Sequence, residues 1–119
     1  VTARDYSVSE ELADAGFERV ASIADLPAGT LLEASRSSGP AICLFNAAGQ
    51  VGAIAALCTH QAFPMSEGTL QPDGTVQCSW HGARFDCATG CVAEGPAYEP
   101  ITVYETRVLD GEIWVGPVR

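Results

Sequence analysis

Turn-forming residues interrupt this chain so often that long helices have nowhere to form. From Phe17 onward, short runs of β-branched and apolar residues alternate with turn signals. The runs span 17–21, 31–34, 40–45, 51–57, 75–77, 83–85, 101–105, 107–109 and 112–115. Between them stand Pro27-Ala-Gly, Ser37-Ser-Gly-Pro and Ala48-Gly-Gln, and the hairpin dipeptides Asp73-Gly74 and Asp110-Gly111. This punctuation predicts an all-β fold, a small antiparallel sandwich or open barrel. A single short helix is expected over residues 8–15, where Ser7 and Glu10 have capping-box spacing and Gly16 marks the stop. The chain therefore divides into an N-terminal extension, 1–16, and one β domain, 17–119. Two stretches, 60–70 and 95–100, read as loops, the usual carriers of function on a rigid scaffold.

The charge balance removes whole classes of function. Fifteen Asp and Glu face six Arg, with no Lys, for a formal net charge of −9. Nucleic-acid binding and anionic membrane surfaces both require a basic stripe, and none is present. An acidic body suits a partner with a basic face. No apolar run approaches the ~20 residues of a membrane helix, and no signal peptide is legible. Five cysteines, an odd number, make a poor disulfide framework, which favours a reducing cytoplasm and thiols that serve as ligands or core residues.

Both histidines in the chain lie beside a cysteine, as Cys58-Thr-His60 and Cys78-Ser-Trp-His81, separated by residues 61–77. Two thiolates and two imidazoles complete a four-ligand metal site of a kind that selects zinc or iron–sulfur chemistry over calcium or magnesium. The spacing alone leaves open a structural Cys2His2 zinc site stapling a binding module.

The surrounding residues go further. Cys58-Thr-His-Gln61, Ser66-Glu-Gly68, Trp80-His-Gly-Ala-Arg-Phe-Asp86 and Thr89-Gly90 resemble the two cluster-binding loops of Rieske-type ferredoxins. The resemblance runs from about Phe17 to Val115. It implies a Rieske fold whose two-loop subdomain holds a [2Fe–2S] cluster, with Cys58 and Cys78 on one iron and His60 and His81 on the other. Replacing two thiolates by neutral imidazoles removes negative charge and raises the reduction potential above that of an all-cysteine cluster. Such a cluster is neutral when oxidised and singly negative when reduced. The family's histidines lie nearest solvent, so the electron would leave through an imidazole edge. The implied role is a one-electron carrier and not an enzyme.

Within the family, absences discriminate. High-potential members of respiratory and photosynthetic complexes carry an extra cysteine in each loop, and here Gln61-Ala-Phe63 and Ser79-Trp80 hold none. Those members also place hydroxyls where Ala83 and Phe85 stand, so a potential near the lower end of the Rieske range, ~−150 mV, is expected. Terminal oxygenases need two further histidines and a carboxylate for a second iron, and both histidines are already committed. The free-standing ferredoxin remains. It would pass electrons from an NAD(P)H-dependent flavoprotein reductase to a terminal Rieske oxygenase of an aromatic ring-hydroxylating dioxygenase system. The small subunit of a nitrite reductase, or a carrier for another oxidase, is the alternative within the family.

Other residues read as structure. Cys43, in the run Ala41-Ile-Cys-Leu-Phe45, is expected to be a buried strand thiol. Cys87 and Cys91 flank Ala88-Thr-Gly90 and would approach each other if that segment were a hairpin. Arg84 and Asp86 are expected to pair. Trp80 packs its loop, Gln61 to Pro64 shield the first loop, and Pro96 and Pro100 stiffen a third loop over the site. Glu67, Glu94 and Glu99 offer an acidic face to a basic partner, or simply a solvated one.

Overall fold

Two tight hairpins set the register of the larger sheet. Ala47 lies opposite Gln50, and Leu109 opposite Glu112, so each turn holds two residues. Ala48 and Gly49 have φ of 54° and 94°, and Asp110 and Gly111 of 51° and 76°. Left-handed backbone at both central residues defines the type I′ turn, whose twist matches that of the flanking strands.

The computed structural model describes residues 10–37, 39–59, 64–79, 82–95 and 99–119. Ten strands follow in chain order: β1 (Glu18–Ser22), β2 (Leu31–Ala34), β3 (Ile42–Ala47), β4 (Gln50–Ala55), β5 (Thr69–Leu70), β6 (Thr75–Gln77), β7 (Arg84–Asp86), β8 (Val92–Glu94), β9 (Val103–Leu109) and β10 (Glu112–Val118). Six form one curled sheet in the order β1-β10-β9-β4-β3-β2, and four form a smaller sheet, β5-β6-β7-β8. Every pairing between these strands is antiparallel. Residues 10–14 are helical, and Phe17 N closes the helix end on the Leu12 carbonyl. Ser7, the proposed cap, lies outside the described residues. Among those residues, no helix is long and apolar enough to cross a membrane.

The run Ala41–Phe45 does not alternate in polarity because β3 is covered on both faces. Ile42 and Leu44 join Leu26, Ala53, Tyr104, Ile113 and Val115 in one core. Cys43 and Phe45 point the other way and join Ile54, Val103, Val76 and Phe85 in a second core, against the small sheet. In that sheet, Leu70, Val76, Phe85 and Val92 turn inward, whereas Gln77 and Arg84 are directly opposed among its polar residues. The one-residue offset between these sets is the period of a half-buried strand. Asn46, buried in β3, donates from Nδ2 to the Leu26 carbonyl (2.8 Å) and accepts from Gly49 N (2.8 Å), so it fastens the Leu26 segment to a hairpin.

Several expectations need correction. The expected runs 101–105 and 107–109 merge into a single strand, β9 (Val103–Leu109), because Thr106, the one residue between them, continues the ladder opposite Val115. The 60–70 stretch is not all loop: it holds a 3-10 turn, Met65–Glu67, and the short β5. Residues 92–94, which are in none of the expected strand runs, add β8 to the edge of the small sheet.

Candidate metal centre

Each cysteine–histidine pair belongs to a loop closed at its neck by backbone contacts. Past β4 the chain continues through Ala56 and Leu57 to Cys58. The Ala56 carbonyl accepts from Met65 N at 2.8 Å, and Leu57 and Pro64 form an isolated antiparallel bridge. These contacts return residues 64 and 65 to the side of residues 56 and 57, and Met65 is fully buried. The second loop starts where β6 ends. Cys78 N donates to the Ala83 carbonyl at 2.7 Å, which closes residues 78–83.

Both cysteines therefore stand at loop bases, 3% and 1% exposed, and both belong to the core that includes Met65, Ala83 and Phe85. The loops are tied to one another. Ser79 Oγ donates to the Glu67 carbonyl at 3.1 Å, and Thr59 Oγ1 donates to the Glu99 carbonyl at 2.8 Å, which brings in the third loop. Gly68 lies against the Gln77 carbonyl so closely that any Cβ would strike it.

The donor set fits an iron–sulfur group. Two thiolates in an apolar cluster are costly without a cation to neutralise them, and soft sulfur ligands prefer iron or zinc. His60 and His81, with Gln61, Ala62, Phe63, Trp80 and Pro96, lie outside the described residues. Among the described residues no group of three or more His, Cys, Asp or Glu comes together as a metal site.

The remaining cysteines behave differently. All five are described and none is in a disulfide. Burial, reinforced by the charge of Cys87 and then Glu33, pushes the Cys43 thiol up to about 12. Burial, then Asp86 and Asp73, does the same to Cys87, also to about 12. Both stay protonated thiols in the core, outside the two loops. Cys91, by contrast, is exposed.

Arg84 pairs with Asp73 and not with Asp86. It also donates to Thr75 Oγ1, from Nη2 at 2.9 Å and from Nε at 3.2 Å. Asp86 is occupied elsewhere: its Oδ1 accepts from Ala88 N (2.9 Å) and Thr89 N (3.1 Å), capping the following turn. Glu67, Glu94 and Glu99 are exposed. The loop ties through Ser79 and Thr59 were not legible, because hydroxyl-to-carbonyl bonds between distant segments leave no pattern in the sequence.

A curled antiparallel sheet bearing a small sheet with two cysteine-based loops defines the class: a small all-β domain of the Rieske architecture. The chain belongs to the Rieske [2Fe-2S] domain family, whose model matches residues 17–105. It is 41% identical over 93 residues, 78% of this chain and 86% of the relative, to a 3-phenylpropionate/cinnamic acid dioxygenase ferredoxin subunit of Escherichia coli (strain K12). Among solved structures it is similar to a chain in a complex of reduced oxygenase and oxidized ferredoxin in carbazole 1,9a-dioxygenase. There the TM-score is 0.79 and the identity 29%, over 86% of this chain and 94% of that one. The ferredoxin of carbazole 1,9a-dioxygenase from Nocardioides aromaticivorans IC177 gives a TM-score of 0.79 at 27% identity, over 86% of this chain and 98% of that one.

Proposed function

We propose that this chain is the ferredoxin of a ring-hydroxylating dioxygenase system, carrying single electrons from a flavoprotein reductase to a terminal Rieske oxygenase in the cytoplasm. Cys58 and Cys78 would hold one iron of the [2Fe–2S] cluster, and His60 and His81 the other. When bound, the cluster supplies reversible one-electron chemistry at a potential set by its two imidazoles. The observation that carries this reading is the placing of Cys58 and Cys78, from separate loops, in one apolar core.

The protein's own residues do the rest. Met65, Ala83 and Phe85 keep water from the cysteine side, which limits oxidative loss. Ser79 and Thr59 hold the three loops together, so little rearrangement accompanies gain of an electron. Leu57 is 48% exposed one residue before Cys58, and Glu67 and Glu99 are exposed nearby in the chain segments tied to the loops. That combination of an apolar contact and acidic residues suits a partner with basic residues around an apolar socket.

The experiment is a visible and low-temperature electron spin resonance spectrum of the purified protein, oxidised and then dithionite-reduced. A red-brown protein whose reduced form gives an anisotropic signal, with average g below that of all-cysteine clusters, is expected. A colourless protein with one bound zinc would overturn the reading in favour of a metal-stapled binding module.

A further inference from the structure

Gln77, the last residue of β6, touches both loops at once. Its carbonyl oxygen is the atom that Gly68 approaches from the first loop. Its side chain reaches the second loop, where Nε2 lies 3.2 Å from the point a Cβ on Gly82 would occupy. Gly82 follows His81 in the sequence and has left-handed backbone, φ +76°.

The amide is not left to choose its own orientation. Gln71 Nε2 donates to Gln77 Oε1 at 3.1 Å, and this bond turns Nε2 toward Gly82. The register explains the contact. Thr69 is opposite Gln77, and Gln71 N donates to the Thr75 carbonyl, so Gln71 and Gln77 are diagonal neighbours on one face of the hairpin. Both are half-buried. A glutamine side chain with no anchor would distribute over many rotamers, so the Gln71 bond selects the one that presents the amino group.

We infer that Gln77, oriented by Gln71, is a positioning residue of the second cluster loop and helps set the reduction potential of the cluster. The inference rests on the ligand set proposed above. The physical basis is twofold. The side chain packs against the backbone that follows a proposed ligand, and it turns the positive end of an amide dipole toward that loop. Outer-shell groups of this kind orient ligands and tune the metal, and a fixed positive dipole end favours the state with the added electron.

The test uses the full chain with its cluster and three variants: Gln77→Met, Gln71→Met and the double variant. Cluster content is read from the visible spectrum, the midpoint potential from a spectroelectrochemical titration, and packing from the melting temperature. The expected result is a loaded cluster in all three, with the potential lowered by the same amount in each. Residues acting as one unit are non-additive, so the double variant should fall no further than either single. A wild-type potential in Gln77→Met overturns the inference, even if the melting temperature drops, because it assigns Gln77 to packing alone. So does an unchanged potential in Gln71→Met, or shifts that add in the double. If Gln77→Met fails to load a cluster, Gln71→Met still decides, since Gln71 adjoins no proposed ligand. A wild-type protein without a [2Fe–2S] spectrum defeats the ferredoxin reading itself, and that result is seen before any variant is made.

Discussion

The Ser79 hydroxyl donates to the Glu67 carbonyl across 3.1 Å and joins the two cluster loops at a point next to Cys78. The bond is exposed, so it contributes about 1 kcal/mol to holding the loops together. Ser79→Ala should leave the fold intact and increase transient loop separation about fivefold, the factor that this energy represents. Cluster bleaching in air, followed by visible absorbance, should accelerate by a similar factor. Bleaching at the wild-type rate would show that the loops are held without this bond.

Ala83 and Phe85 are fully buried at the base of the second loop, and neither side chain carries a hydroxyl. The wild-type potential should therefore lie near the low end of the Rieske range, about −150 mV. Ala83→Ser and Phe85→Tyr each introduce a donor. A hydrogen bond stronger by about 1 kcal/mol in the reduced state raises a one-electron potential by about 40 mV. Titration of the two variants should show rises of that order. A rise in neither would mean that these positions do not face the cluster sulfurs.

Much of this architecture was legible because it depends on local signals. Residues 31–34 and 75–77 are strands with the expected bounds, and Asp110-Gly111 makes the expected two-residue hairpin. Buried Cys43 follows from the apolar run around it. The two-residue β5 is too short to carry a periodicity, and β8 lacks the turn dipeptide, Asp73-Gly74, that announces the equally short β6. The partner of Arg84 was misjudged for a different reason. Asp86 is nearer in sequence, but it caps its own turn, whereas Asp73 at the β5–β6 turn holds Thr75 with Oδ1 and turns Oδ2 to the guanidinium. At the site, the cysteine–histidine spacing pointed to the ligand chemistry. The ties from Ser79 and Thr59, and the buried Asn46, join segments far apart in sequence and depend on the completed fold.

The Asp73 network makes stability pH-dependent. Hydrogen bonds from the Thr75 hydroxyl and amide, then the Arg84 guanidinium, hold the Asp73 carboxyl below its ordinary value. A depressed folded-state value means that this stabilisation is present above the unfolded value of about 3.9 and is lost as pH falls through the lower folded one. Urea midpoints measured from neutral pH down to pH of about 2 should show wild type and Asp73→Asn converging at the acid end. A constant difference between them across the range would mean that the charge of Asp73 does not contribute.

Gly68 provides the sharpest steric test of how the loops meet. Its φ of −85° is open to any residue, so only space is at issue. A Cβ there would strike the Gln77 carbonyl, a backbone atom of a paired strand that cannot rotate away. Gly68→Ala must therefore push β6 and the first loop apart, at a cost of about 1–3 kcal/mol. Because Cys78 follows Gln77 directly, the displacement also reaches a proposed ligand. The variant should melt lower and bind less than its full complement of iron, read by metal analysis. Gly95→Ala is the control: nothing lies within 4 Å of a Cβ at that position, and its stability should stay within about 0.5 kcal/mol of wild type. Full iron content and unchanged melting in Gly68→Ala would show that the two loops do not depend on this close approach.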